Sequence, residues 1–157
     1  MNTMKKRSNQ FLAVAALGLV CLAGSGCSTF NLDWDAARAL PRQPADLTGR
    51  WEGTWKSDSN GHTDKLRCLV TKTDAGQYEA RFHALYKRVV TLTFGYTVPL
   101  AVQESEPCKW TFQGEAELGW YAGGHYTYNG QATTTNFFSL YDSKYDRGSF
   151  VLTRPVE

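Results

Sequence analysis

From residue 50 to residue 154, apolar and polar side chains alternate with period two, the pattern of strands with one dry and one wet face. Trp51, Gly53 and Trp55 share one face of a first strand, opposed by Arg50, Glu52, Thr54 and Lys56. Ser57 to His62, with Asn60 and Gly61, predicts a turn. Leu66, Cys68 and Val70 then alternate with Lys65, Arg67 and Thr71 in a second strand. After a turn at Asp74, Ala75 and Gly76, a third sets Tyr78, Ala80, Phe82, Ala84 and Tyr86 against Glu79, Arg81 and His83. A long fourth run puts Val90, Leu92, Phe94, Tyr96, Val98, Leu100 and Val102 on one face. Gly95 and Pro99 fall on the other, which predicts a bend or bulge. Trp110, Phe112, Gly114, Ala116 and Leu118 mark a fifth strand, and Gly124, Tyr126, Tyr128, Gly130 and Ala132 a sixth, around the loop Gly119 to Gly123. Antiparallel pairing about Tyr121 sets Gly114 opposite Tyr128 and Phe112 opposite Gly130, so that each glycine leaves room for a ring. Asn136 to Asp142 and Ser149 to Arg154 complete the set, joined by Ser143 to Gly148.

Eight alternating strands with short connections and no sustained helical period predict an all-β, antiparallel eight-stranded up-and-down barrel over residues 47–157. Closure removes the unpaired edges that an open meander would expose. A two-sheet β-sandwich has the same period and is the competing architecture.

The ends of the domain favour the barrel. Leu47, Thr48, Gly49, Arg50 and Trp51 open it, and Leu152, Thr153 and Arg154 close it. This arrangement resembles the calycin superfamily of lipocalins, fatty-acid-binding proteins and avidins, in which a Gly-x-Trp element begins the barrel and a basic residue of the last strand covers the tryptophan. The resemblance implies that Trp51 and Arg154 close one end of the barrel. A guanidinium over an indole contributes about 0.5–2 kcal/mol. A shared scaffold does not imply a shared ligand.

The segment ahead of the domain has a different character. Lys5, Lys6 and Arg7 precede an apolar run from Phe11 to Ala23 interrupted by Gly18, which predicts an export signal over residues 1–26. The run falls short of the roughly 17–25 apolar residues that span a bilayer. Leu22 to Thr29 resembles a bacterial lipoprotein signal, in which small residues precede an acylated cysteine. That resemblance implies lipid attachment at Cys27, and Ser28 after it implies an outer-membrane lipoprotein facing the periplasm. Plain secretion after an ordinary cleavage and an uncleaved anchor are the alternatives. Residues 27–46 lack sustained periodicity and contain Pro41 and Pro44. They are expected to be a tether, with room for a helical turn over Asp35 to Leu40 and with Trp34 either docked on the domain or exposed.

The 157 residues fit one domain, since domains run to roughly 100–200 residues. The formal charge of +2 becomes −1 once Lys5, Lys6 and Arg7 are removed, leaving 14 basic and 15 acidic side chains. This balance argues against nucleic-acid binding, which needs a basic face to displace phosphate counterions. Of the four cysteines, Cys21 falls in the signal and Cys27 at the lipid site. That leaves Cys68 and Cys108, both expected to face inward, either as a disulfide or as two buried thiols.

The inward faces are rich in rings. Phe82, Phe94, Tyr96, Trp110, Phe112, Tyr126 and Tyr128 are the expected lining of a site for a small hydrophobic or amphipathic ligand, because aromatic walls give contact area and a few orienting hydroxyls. The same rings would also serve to fill a barrel of this size. No cofactor pattern and no metal-ligand spacing is evident, and His62, His83 and His125 are scattered. Glu115 and Glu117 share one strand side, but with Lys109, Thr111 and Gln113 that side reads as a solvated face. Tyr141, Asp142, Tyr145 and Asp146 read as turn chemistry around Gly148. The expected function is therefore non-enzymatic: an envelope barrel, attached to the membrane by its lipid, that binds a small ligand. The alternative is an envelope protein-binding or hydrolase-inhibitor barrel acting through Ser57 to His62 and through Gly119 to Gly123, with Trp120 and Tyr121, on a protein partner the sequence does not name.

Overall fold

A computed structural model describes residues 29–41 and 45–156. Eight strands form a closed antiparallel barrel in chain order: β1 (Gly49–Ser57), β2 (Thr63–Lys72), β3 (Tyr78–Lys87), β4 (Thr91–Glu106), β5 (Lys109–Glu117), β6 (His125–Thr133), β7 (Asn136–Ser143) and β8 (Arg147–Thr153). β1 pairs with both β2 and β8, so no edge strand is left and the sandwich is excluded. The β5–β6 register sets Phe112 opposite Gly130 and Gly114 opposite Tyr128, as the repeated aromatic-glycine pattern predicts. The Gly130 site is filled by the Phe112 ring, whereas the space over Gly114 is taken by Val98 and Leu100 of β4 rather than by Tyr128.

Two expectations change. β4 runs against β3 without interruption through Gly95 and Pro99, and its register shift lies instead between Glu104 and Glu106 of the β4–β5 ladder. What happens at Pro99 is on the other side of the strand. Pairing of β4 with β5 begins at Leu100 opposite Gly114, and residues 91–99 are laddered to β3 alone. Proline has no N–H to extend that ladder.

The second change concerns the expected tether. Residues 29–38 form a helix, α1, that packs on the outside of the barrel through Phe30 and Trp34, both buried together with Leu69 of β2. Phe30, Trp34 and Ala37 follow the i, i+4, i+7 spacing of one helix face. Leu69 is an apolar residue on the otherwise polar outer side of β2, between Arg67 and Thr71. His83, expected on a solvated face, is buried here and stacks on Phe30 with ring centres 4.8 Å apart. The guanidinium groups of Arg67 and Arg81 lie 5.5 Å from the Phe30 ring centre, and that of Arg50 lies 5.4 Å from Trp34. Arg67 also donates to Asn31, and Arg81 pairs with Asp33, so charge and packing both hold the helix down.

Candidate functional site

One end of the barrel is packed shut. Trp51 is completely buried, tilted against Phe137, which in turn stacks on Phe112 at 4.6 Å. Trp51 Nε1 donates to the Leu47 carbonyl at 3.0 Å. Arg154 covers the indole from 3.7 Å and donates to the carbonyl oxygens of Asp46, Thr48 and Thr134. Gly49, at φ +105°, is a position where a side chain would be strained and would crowd the Arg154 guanidinium.

The opposite end is a cup. A cavity of about 590 Å³ is walled by Trp55, Tyr86, Phe94, Tyr96, Tyr126, Tyr128, Tyr141 and Phe150, with Ala84, Gly95, Leu118, Ala122, Gly123, Glu117 and Asp146 completing the wall. That volume lies within the roughly 300–1,000 Å³ of small-molecule sites. The cup lies where β4 has lost its pairing with β5: Phe94, Gly95 and Tyr96 belong to the singly laddered stretch, and Leu118, Ala122 and Gly123 belong to the connection after β5. Gly123 has φ +100°, and a Cβ there would run into the Tyr126 ring.

Of the expected ligand-binding rings, Phe94, Tyr96, Tyr126 and Tyr128 line this cavity. Phe82 lies beneath it, buried and packed against Tyr96, Tyr128 and Phe150. Trp110 and Phe112 are buried in the packed core and take no part in the wall. The site gains Tyr141, Phe150 and Asp146 from the last hairpin. Tyr141 and Phe150 carried a signal, since each falls on the alternating inward face of its strand. Asp146 carried none, because its part in the site depends on where the β7–β8 turn sits.

Polar groups in the cup are unevenly satisfied. Asp146 accepts from Ser57 Oγ at 2.6 Å, from Tyr141 Oη at 3.0 Å and from the Arg147 backbone N–H at 2.9 Å. Burial, with the Asp146 carboxylate adding to it, pushes the Tyr141 phenol far above its ordinary range. Burial does the same to Tyr96 and Tyr128. Tyr128 Oη is buried and makes no hydrogen bond of ordinary geometry, the neighbouring Tyr96 phenol being its one polar neighbour among those that shift it by hydrogen bonding. Such an unsatisfied group costs about 1–3 kcal/mol. His62, expected in an open turn, is wedged between Trp55 and Tyr86 at ring distances of 5.2 and 4.3 Å.

The remaining sequence expectations resolve as follows. Cys68 is buried in β2 and Cys108 lies in the β4–β5 turn at φ 62°, not on β5; both are free thiols, with no disulfide between them. Glu115 and Glu117 flank His125 from 3.8 Å each, with mostly exposed side chains, as a solvated face would. No cluster of three or more metal-ligating side chains occurs among the described residues. Trp120 is 89% exposed in a single 3-10 turn, Trp120–Ala122. The signal over residues 1–26, the lipid site Cys27 and the Tyr121 side chain lie outside the described residues. Comparison of the chain with protein-family models, with curated proteins and with solved structures gives no match.

Proposed function

We propose that this protein is an exported, lipid-anchored envelope barrel that binds a small hydrophobic or amphipathic molecule in its open end and does no chemistry on it. The observation that carries the reading is the unfilled aromatic cup: one end of the lumen is packed to closure while the other keeps a cavity of about 590 Å³ with an unpartnered buried hydroxyl, Tyr128 Oη. Apolar walls with a few aimed polar groups are what a small-molecule site needs. The Gly49-Arg50-Trp51 opening and the Arg154 cover support a calycin-like barrel. Lys5 to Arg7, the apolar run to Ala23 and Cys27 support export and acylation. Two residues beyond Cys27 the chain is already in α1, so an anchor at Cys27 would hold the β1–β3 flank near the bilayer, outer membrane being the expected one.

The test uses N-phenyl-1-naphthylamine, a neutral dye that brightens in apolar sites. The wild type is expected to enhance its fluorescence saturably, and Ala84→Trp, which fills the cup, to abolish the enhancement while keeping the fold. Undiminished enhancement in Ala84→Trp would contradict a lumen site.

A protein-binding or inhibitor role is favoured by one observation, the exposed Trp120 beside the mouth. Trp120→Ala would then abolish partner capture and leave dye binding unchanged.

A further inference from the structure

We infer that the molecule taken by the cup is an organic cation, an ammonium or related group carried on an apolar or aromatic body. This deepens the lumen-binding reading and rests on it. Three features of the cup carry the inference.

The first is charge. The cavity lining includes the Asp146 carboxylate and no lysine, arginine or histidine; Glu117, which also borders it, sets its carboxylate beside His125 on the outer face. Asp146 is held in place by Ser57, Tyr141 and the Arg147 backbone, and among the described residues no cationic side chain pairs with it. Its three partners orient the carboxylate without neutralising it. An anionic ligand would have to enter against this charge.

The second is the wall. Trp55, Tyr86, Tyr126, Tyr128 and Tyr141 set five electron-rich rings around one space, and the face of such a ring attracts a cation through its quadrupole.

The third is the unpartnered Tyr128 Oη, 96% buried as a residue and part of the same lining. A phenol both donates and accepts, so it can take the N–H of a protonated amine that the Asp146 carboxylate draws into the cup.

Three soluble probes share an indole and differ in charge: tryptamine, tryptophol and indole-3-acetate. Each is titrated into the 15N-labelled protein spanning Ser28 to Glu157 at low salt and pH 7, following the Trp55 Nε1–H and the cup residues by NMR. Tryptamine is expected to bind tightest, about tenfold over tryptophol, with indole-3-acetate the weakest. Asp146→Asn is expected to bind tryptamine no more tightly than the same variant binds tryptophol. Tryptophol or indole-3-acetate binding as tightly as tryptamine would overturn the cation assignment while leaving the lumen site standing. Absence of cup shifts with all three probes would also overturn it, and dye binding by the wild type would then separate that failure from failure of the lumen site. If Asp146→Asn does not fold, the ranking of the three probes on the wild type decides alone.

Discussion

The Arg154 guanidinium lies 3.7 Å from the centre of the Trp51 indole and donates to backbone carbonyls of Asp46, Thr48 and Thr134, so one side chain ties the last strand to the segment that opens the first. Replacing it leaves part-buried carbonyl acceptors without their donors as well as removing the cation from the ring. Arg154→Met is expected to lower stability by about 1.5–5 kcal/mol, from a cation–π loss of about 0.5–2 and an orphaned-acceptor cost of about 1–3. Lysine keeps the charge but not the planar fork, so Arg154→Lys should fall between the two. Urea unfolding of the three proteins measures this, and a change below about 0.5 kcal/mol in Arg154→Met would contradict the closure role.

That relationship was legible in the sequence because the two residues sit at the ends of an alternating pattern that only a closed barrel brings together. The Phe112–Gly130 pairing was legible for a similar reason, since a turn about Tyr121 fixes the register. The docked helix was hidden: Phe30, Trp34 and Ala37 keep helical spacing, but the run is short, and its partner Leu69 was one apolar residue in a polar face. The position of the cavity was hidden as well. Both ends of the barrel alternate alike, and what separates them is where the β4–β5 ladder stops, at Pro99.

The helix on the barrel flank should respond to pH. Burial first, then the charges of Arg67 and Arg81, hold the His83 imidazole below its ordinary value of 6.5. A histidine so depressed stabilises the docked state fully above pH 6.5, and this contribution is lost as the pH falls from there through the folded value. Docking of α1, followed by amide exchange of residues 30–38, should therefore weaken between pH 7 and pH 5, and His83→Gln should flatten the dependence. An unchanged slope in His83→Gln would contradict the assignment of the pH dependence to His83.

Tyr128 should show a trade between stability and binding. Its hydroxyl is buried without a hydrogen bond of ordinary geometry, and removing it relieves a cost of about 1–3 kcal/mol. Tyr128→Phe is expected to melt at a higher temperature than the wild type and to bind cup ligands more weakly. Thermal unfolding and dye titration on the same samples test both halves; a less stable variant would mean that the hydroxyl is satisfied in solution.

The two free thiols should separate by reactivity. Burial pushes the Cys68 thiol well above its ordinary range, whereas Cys108 is half-buried in a turn. In the native form spanning Ser28 to Glu157, a disulfide-exchange reagent should titrate Cys108 rapidly and Cys68 only on unfolding. Equal native rates would show that the barrel opens around β2.

The central claim is that the open end of the barrel holds a small molecule. Native mass spectrometry of the form spanning Ser28 to Glu157, before and after exposure to a lipid and metabolite extract of its own host, tests this most directly. The expected result is a discrete retained mass, lost when Tyr126 or Phe82 is replaced by a polar residue in a protein that still folds. A bare chain mass throughout, with Ala84→Trp and wild type indistinguishable, would contradict the lumen site and turn attention to Trp120 and a protein partner.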